Sequence, residues 1–317
     1  MAERNWTTAD IPDQTGRTAV VTGGNVGLGF EVARALSARG AQVVIASRDT
    51  SRGAEAAAKI AAAGGPGQFN TARQDRAPEP HVVRLDLTSL ASIREAAAEL
   101  RSRYDKLDLL INNAGVMMTP YSRTEDGFEL QLGTNHLGHF ALTGLVIGQM
   151  MGVPGARIVT VSSMLHRQGS LDLDDLAYER QYNRSAAYAR SKLANLLFAY
   201  ELERRLERAG RKDPISLAAH PGYANTELGR YLPTPMRFGV GLVNPLIAQS
   251  PAMGALPLLR AATDPAVRGG QFYGPSSRTQ MRGHPKLTTS NARSHDQELA
   301  RRLWTESERL TGVRYSL

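Results

Sequence analysis

The 317-residue chain contains no cysteine. Disulfides, thiolate nucleophiles, iron–sulfur clusters and cysteine-ligated zinc are therefore excluded. The absence fits a reducing cytosol, and a cytoplasmic location is the expectation. No apolar run approaches the ~20 residues needed to cross a bilayer, and residues 1–13 are polar with no hydrophobic signal core. A soluble chain with no membrane span is expected. The formal net charge is +8, yet the arginines are scattered and no basic block is interleaved with aromatics. Nucleic acid is not the expected partner. His136, His139, His166 and His220 form no paired-ligand spacing with carboxylates, so they read as structural histidines. Asp172, Asp174 and Asp175 read as capping or solvated acids, and no metal is expected.

What is present is a regular alternation. Short apolar runs at Arg17–Thr22, Gln42–Ala46, His81–Leu85, Leu107–Ile111, Arg157–Val161 and Ile215–Ala219 read as strands. Between them, apolar residues recur at helical spacing over Gly27–Arg39, Thr50–Ala63, Ser89–Arg103, Glu125–Met151 and Ala186–Ala209. The strands are continuous rather than alternating, as a parallel sheet covered on both faces demands. With no internal repeat and no long linker, the expected fold is α/β: one domain with a doubly wound parallel sheet. Residues 1–14 read as an N-terminal arm and 64–80 as an exposed loop rich in Gly, Pro, Gln and charge. Residues 228–250 mix prolines and glycines with large apolar side chains. They read as a lid over an apolar ligand, with core packing or a subunit contact as alternatives. Ser250-Pro251 restarts a helix, and Gln271–Tyr273 can form a last edge strand. Residues 276–317 read as a polar tail with one helix, Asp296–Leu310.

Gly23, Gly27 and Gly29 lie between the first strand and the first helix, in the run Thr22-Gly-Gly-Asn25-Val26-Gly-Leu28-Gly29. Glycines let the backbone turn sharply and approach a pyrophosphate, and the following helix N-terminus supplies free N–H groups. A carboxylate at the tip of the second strand would favour a free ribose. Here that strand ends Ala46-Ser47-Arg48, and a guanidinium there can pair with a 2′-phosphate. Asp49 stands one place later, so NADP(H) is the expected cofactor, with NAD as the alternative.

Tyr188 and Lys192 are spaced i, i+4, which puts them on one helix face. A tyrosine titrates near pH 10, and a nearby ammonium lowers that value toward use as a general acid/base. Alone, Tyr-x-x-x-Lys is common by chance. Here it follows the glycine loop, Asn112-Asn113-Ala114-Gly115, and a strand ending Val161-Ser162-Ser163. Asn135 lies inside an expected helix, where asparagine is a poor choice, which suggests a task.

Together these motifs resemble the short-chain dehydrogenase/reductase family from Arg17 to about Pro275. The resemblance implies that Asn135, Ser163, Tyr188 and Lys192 are catalytic. Ser163, rather than Ser162, would hydrogen-bond the substrate oxygen, and Asn135 would hold a water linking the lysine to solvent. It further implies cofactor contacts from Gly23, Asn25, Val26, Gly27, Leu28, Gly29 and Arg48, and from the adenine-side pair Asp86-Leu87. Asn113, Ala114, Gly115, Tyr188, Lys192, Pro221, Gly222 and Thr226 complete that set. Gly133–Phe140 and Ser191–Asn195 are most similar to the retinol dehydrogenase branch and its bacterial relatives. The implied reaction is hydride transfer between nicotinamide and a carbonyl or alcohol of a lipophilic small molecule, in a monomer or a dimeric or tetrameric homo-oligomer. Met117, Met118, Met164 and Leu165 stand at the strand ends as pocket-lining or core residues. Rival readings are a cofactor-binding regulator or sensor without turnover and a nucleotide-sugar epimerase or dehydratase. The first would be expected to lack the tyrosine or serine, and the second to carry its second glycine at position 26, where valine stands. A light-dependent pigment reductase would be expected to carry cysteines near its site.

Overall fold

The computed structural model describes residues 4–63, 78–178, 180–223 and 249–317. Its centre is an eight-stranded sheet in the order β3-β2-β1-β4-β5-β6-β7-β8. The strands are β1 (Thr18–Thr22), β2 (Gln42–Ser47), β3 (His81–Arg84), β4 (Leu109–Asn112), β5 (Arg157–Val161), β6 (Ile215–Ala219), β7 (Phe272–Pro275) and β8 (Pro285–Thr288). All neighbouring pairs are parallel except β7 with β8.

The helices are α1 (Gly27–Ser37), α2 (Thr50–Ala63), α3 (Leu90–Arg103), α4 (Leu130–Leu132), α5 (Gly138–Val146), α6 (Arg184–Arg208), α7 (Pro251–Thr263) and α8 (Gln297–Thr311). Successive strand residues face opposite layers. Val21, Val43, Ile45, Leu109 and Ile111 join one apolar core with residues of α1, α2 and α7. Val20, Val44, Leu110 and Ile158 join a second core with residues of α3, α5, α6 and α8. Each central strand is thus buried on both faces, which is why it reads as an unbroken apolar run.

Strand order reverses between β1 and β4. The turns leaving the carboxyl ends of those two strands therefore frame a crevice, the place where doubly wound sheets bind ligands.

Two expected features differ. The single helix expected over Glu125–Met151 is divided: residues 125–129 form a turn, α4 starts at Leu130, and Gly133–Leu137 is one π-helical stretch before α5. Glu129 sets the start, because its carboxylate accepts from the Gln131 and Leu132 amides at 2.9 and 2.7 Å. The expected tail is largely built structure. Besides α8, it supplies β8 to the sheet edge, and Leu303 and Trp304 of α8 are buried. Thr226, residues 228–248 of the expected lid and residues 64–77 of the expected loop lie outside the described residues.

Candidate active site

The glycine loop leaves β1 and enters α1. Gly23 and Gly27 have φ of +65° and +55°, values that glycine adopts without a Cβ penalty. A Cβ on Gly29 would lie 2.2 Å from Gly23 O and 2.6 Å from Asn113 Nδ2, so the β1 and β4 turns can touch only if position 29 is bare. The α1 N-cap is Val26, which has no side chain to cap the helix. Its terminal N–H groups lack the usual side-chain acceptor, and a pyrophosphate suits them. The residues present therefore fit a dinucleotide. Gly23, Asn25, Val26, Gly27, Leu28 and Gly29 all belong to this one turn.

At the tip of β2, Arg48 is exposed and has no hydrogen bond or ion pair to a described residue. Asp49 is engaged elsewhere: its Oδ1 accepts from the Arg52 amide at 3.0 Å in the first turn of α2. After β3, the Asp86 carboxylate accepts from Thr88 N and Oγ at 2.9 and 2.7 Å. Ser89, not Asp86, caps α3. Leu87 packs against α5 so closely that a Cβ on Gly138 would be 2.7 Å from Leu87 O.

The β4 turn is held to the glycine loop by Thr22. Its Oγ accepts from Asn113 N and Ala114 N, each at 2.9 Å, and its carbonyl accepts from Asn113 Nδ2 at 2.8 Å. The same hydroxyl donates to His139 Nε2 at 2.8 Å, and His139 Nδ1 donates to Asn135 O at 3.0 Å. The His139 ring is fully buried and its pKa is pushed down to about 4 by that burial, so it is neutral at pH 7. One continuous chain of hydrogen bonds thus runs from Thr22, beside the glycine loop, to Asn135.

Asn135 lies in the π-helical stretch, a distortion that often marks a functional position. Its Oδ1 accepts from Val116 N at 2.8 Å, and its Nδ2 donates to Val116 O and Ser191 Oγ at 3.0 and 2.9 Å. The carboxamide ties the β4 turn to α6. Gly115 must be bare for this contact, since a Cβ there would be 2.8 Å from Asn135 Oδ1.

Tyr188 and Lys192 project from the first turns of α6 and are both buried. Lys192 Nζ lies 5.7 Å from the centre of the Tyr188 ring and donates to Val161 O at 3.1 Å. Burial pushes the lysine down to about 8. Burial also pushes Tyr188 up to about 12, opposed only in part by a hydrogen bond to Ser163. In the chain by itself, desolvation therefore outweighs the lowering expected from Lys192. The two serines after β5 divide as strand alternation requires. Ser163 meets Tyr188, whereas Ser162 Oγ donates to Lys192 O at 2.8 Å and holds α6 in place. Pro221 and Gly222 leave the next strand, β6, on the same sheet edge, and Gly222 has φ of +69°.

Several contributors escape a sequence reading. Thr22, His139, Ser191 and Asn195 form the site's polar support; Asn195 Nδ2 shares Val161 O with Lys192 at 2.9 Å. Gln131 Oε1 accepts from Met118 N at 2.7 Å, and its Nε2 donates to Tyr182 OH at 2.8 Å, joining the loops after β4 and β5. No spacing rule assigns these residues a supporting role, although Thr22, His139, Ser191 and Asn195 all stand in or beside the motifs of the sequence. Met117, Met118, Met164 and Leu165 are all half-buried at the strand ends. Among the described residues no cluster of three His, Asp or Glu could hold a metal, and no helix is long and apolar enough to cross a membrane.

The short chain dehydrogenase family model matches residues 17–236. The chain is 40% identical over 306 residues to mouse (Mus musculus) retinol dehydrogenase 14, covering 94% of this chain and 86% of that protein. It is 42% identical over 310 residues to mouse polyprenol dehydrogenase, covering 96% and 86%. A crystal structure of an uncharacterized protein from Mycobacterium paratuberculosis superposes with a TM-score of 0.80 at 40% identity, covering 99% of this chain and all of that one. The chain belongs to the short chain dehydrogenase family, whose members are oxidoreductases of alcohols and carbonyls that use a nicotinamide cofactor.

Proposed function

We propose that this short chain dehydrogenase uses NADP(H) to interconvert a carbonyl and an alcohol on a hydrophobic small molecule. The observation that carries the reaction is the buried meeting of Tyr188, Ser163 and Lys192 beside the β4 turn. The cofactor, when bound, supplies or accepts the hydride; the protein's task is to hold the substrate oxygen and move a proton. Tyr188 is the proton donor in reduction, and its high pKa keeps it protonated at neutral pH. Ser163 donates a hydrogen bond to the same oxygen and steadies its developing charge. Lys192, mostly charged at pH 7 with a pKa of about 8, faces the tyrosine ring and favours the phenolate left after proton transfer. Asn135 keeps the β4 turn and α6 in register. A water held at Asn135 would carry the proton path from Lys192 to solvent.

The cofactor contacts are Gly23, Asn25, Val26, Gly27, Leu28 and Gly29 for the pyrophosphate and Asp86 with Leu87 for the adenine side. Asn113, Ala114 and Gly115, the Tyr188–Lys192 face, and Pro221 and Gly222 line the ribose and nicotinamide side, and Thr226 is the further contact proposed from the sequence. The preference for NADP(H) rests on Arg48: it is exposed and unpaired among the described residues, while the only adjacent acid, Asp49, is bonded into α2. The preference for apolar substrates is supported by Met117, Met118, Met164 and Leu165 at the carboxyl edge and by relatives named for retinol and polyprenol.

A panel of apolar aldehydes and ketones with NADPH and with NADH, followed at the nicotinamide absorbance, tests this reading. Turnover with NADPH exceeding that with NADH is the expected result. Tight NADPH binding with no turnover across the panel would favour a sensor instead.

A further inference from the structure

The chain between β7 and α8 lies against both sides of the proposed site. On the nicotinamide side, Tyr223 N donates to Met281 O at 2.7 Å. Gly283 N donates to Gln249 Oε1 at 3.0 Å, and Gln249 Nε2 donates to Pro221 O at 2.6 Å. A Cβ on Gly222 would lie 2.4 Å from Met281 O. On the Ser163 side, Asn291 N donates to His166 Nε2 at 3.3 Å, and His166 Nδ1 donates to Ser163 O at 2.6 Å. Both contacts require the same neutral tautomer, so the ring is a fixed link. Arg167 reaches Thr289 O at 3.3 Å, and Arg293 reaches Gly169 O at 3.0 Å.

Gln280 stands between the two sides. Its Oε1 is 3.5 Å from Arg167 NH2, and its Nε2 donates to Thr288 Oγ of β8. Gln280 has φ of +56°. A non-glycine residue held in the left-handed region is strained, and such strain persists where surrounding structure enforces it, often beside functional sites.

We propose that residues 276–291 are a spacer that sets the distance between the Ser163 turn and the Pro221–Gly222 turn, with Gln280 and His166 as its positioning residues. The inference rests on the hydride-transfer reading above. Substrate oxygen and nicotinamide are held from these two turns, so a small change in their separation lowers the rate without abolishing binding.

The test measures kcat, KM for decanal, Kd for NADPH and the thermal midpoint. Gln280→Gly removes the amide and, at this φ, relieves backbone strain. The expected result is an undiminished thermal midpoint with kcat reduced about tenfold and Kd nearly unchanged. His166→Phe is expected to lower kcat similarly, and His166→Asn, which keeps a donor near the Nδ1 position, to recover part of it. Wild-type kcat in Gln280→Gly, or a kcat loss that merely tracks a lowered midpoint, would overturn the proposal, as would equal activity in the two His166 variants. Tyr188→Phe serves as the reference. Full activity there would sink the hydride-transfer reading itself, whereas its loss beside a wild-type Gln280→Gly would sink the spacer alone.

Discussion

Burial moves the two central side chains in opposite directions, and the consequence is a defined pH window. Tyr188 stays protonated to about 12, while Lys192 loses its charge near 8. Below pH 8 the site holds a neutral phenol beside an ammonium, the state that can donate a proton and stabilise the phenolate left behind. Above it, the amine no longer favours that phenolate. kcat/KM for reduction is therefore expected to be flat from about pH 6.5 to 7.5 and to fall above about 8; a profile flat to pH 10 would contradict the assignment. Arg48 yields a second prediction. Arg48→Ala removes a charge-assisted pairing of about 1.5–3 kcal/mol, so NADPH affinity should fall by about tenfold or more while NADH affinity is unmoved. Equal losses for both cofactors would mean that Arg48 does not read the 2′-phosphate. At this scale the residues proposed to touch ligand were legible as candidates, because their chemistry restricts their type and they sit at fixed offsets from strand ends. The supporting contacts of Thr22, His139 and Ser191 were not. These residues support the site through contacts spanning 117 and 56 positions between partners, and nothing local marks such pairings.

Among the elements, the parallel strands were legible because double burial leaves few residue types open to them. β8 was missed because Pro285-Lys286-Leu287-Thr288 carries edge-strand features, a proline and a lysine, in place of an apolar run. The helix expected from Glu125 was over-extended because apolar periodicity continues through the turn, whereas the carboxylate of Glu129 decides the start. α8 matters more than its polar surroundings suggest. Trp304 packs between Phe140, Phe198 and Tyr315, with ring centres 5.1, 5.9 and 4.5 Å away. It is 2% exposed. Trp304→Ala should cost about 3–5 kcal/mol of stability, read as a lower midpoint in denaturant unfolding. A loss below about 1 kcal/mol would mean that α8 is only loosely docked.

On the scale of the whole molecule, the buried histidines outnumber the opposing groups among the described residues. His136 and His220 are pushed down to about 3, and His139 and His166 to about 4, all by burial. The unfolded chain takes up a proton on each near 6.5, and the folded chain does so only well below that. Between pH 6.5 and 4 the unfolded state thus binds more protons, and stability falls as pH falls. Glu203, raised to about 7, and Glu129, raised by burial, act in the opposite sense, but they are two against four. The thermal midpoint should drop from pH 7 to pH 5; a rise would show that the carboxylates dominate. In the proposed reaction Tyr188 delivers the proton, and NADPH, when bound, supplies the hydride. The most direct measurement of this step is single-turnover reduction of an apolar aldehyde by wild type and Tyr188→Phe at saturating NADPH. A loss of about 100-fold or more with NADPH binding retained is expected, and a Tyr188→Phe rate within a few-fold of wild type would rule out Tyr188 as the proton donor.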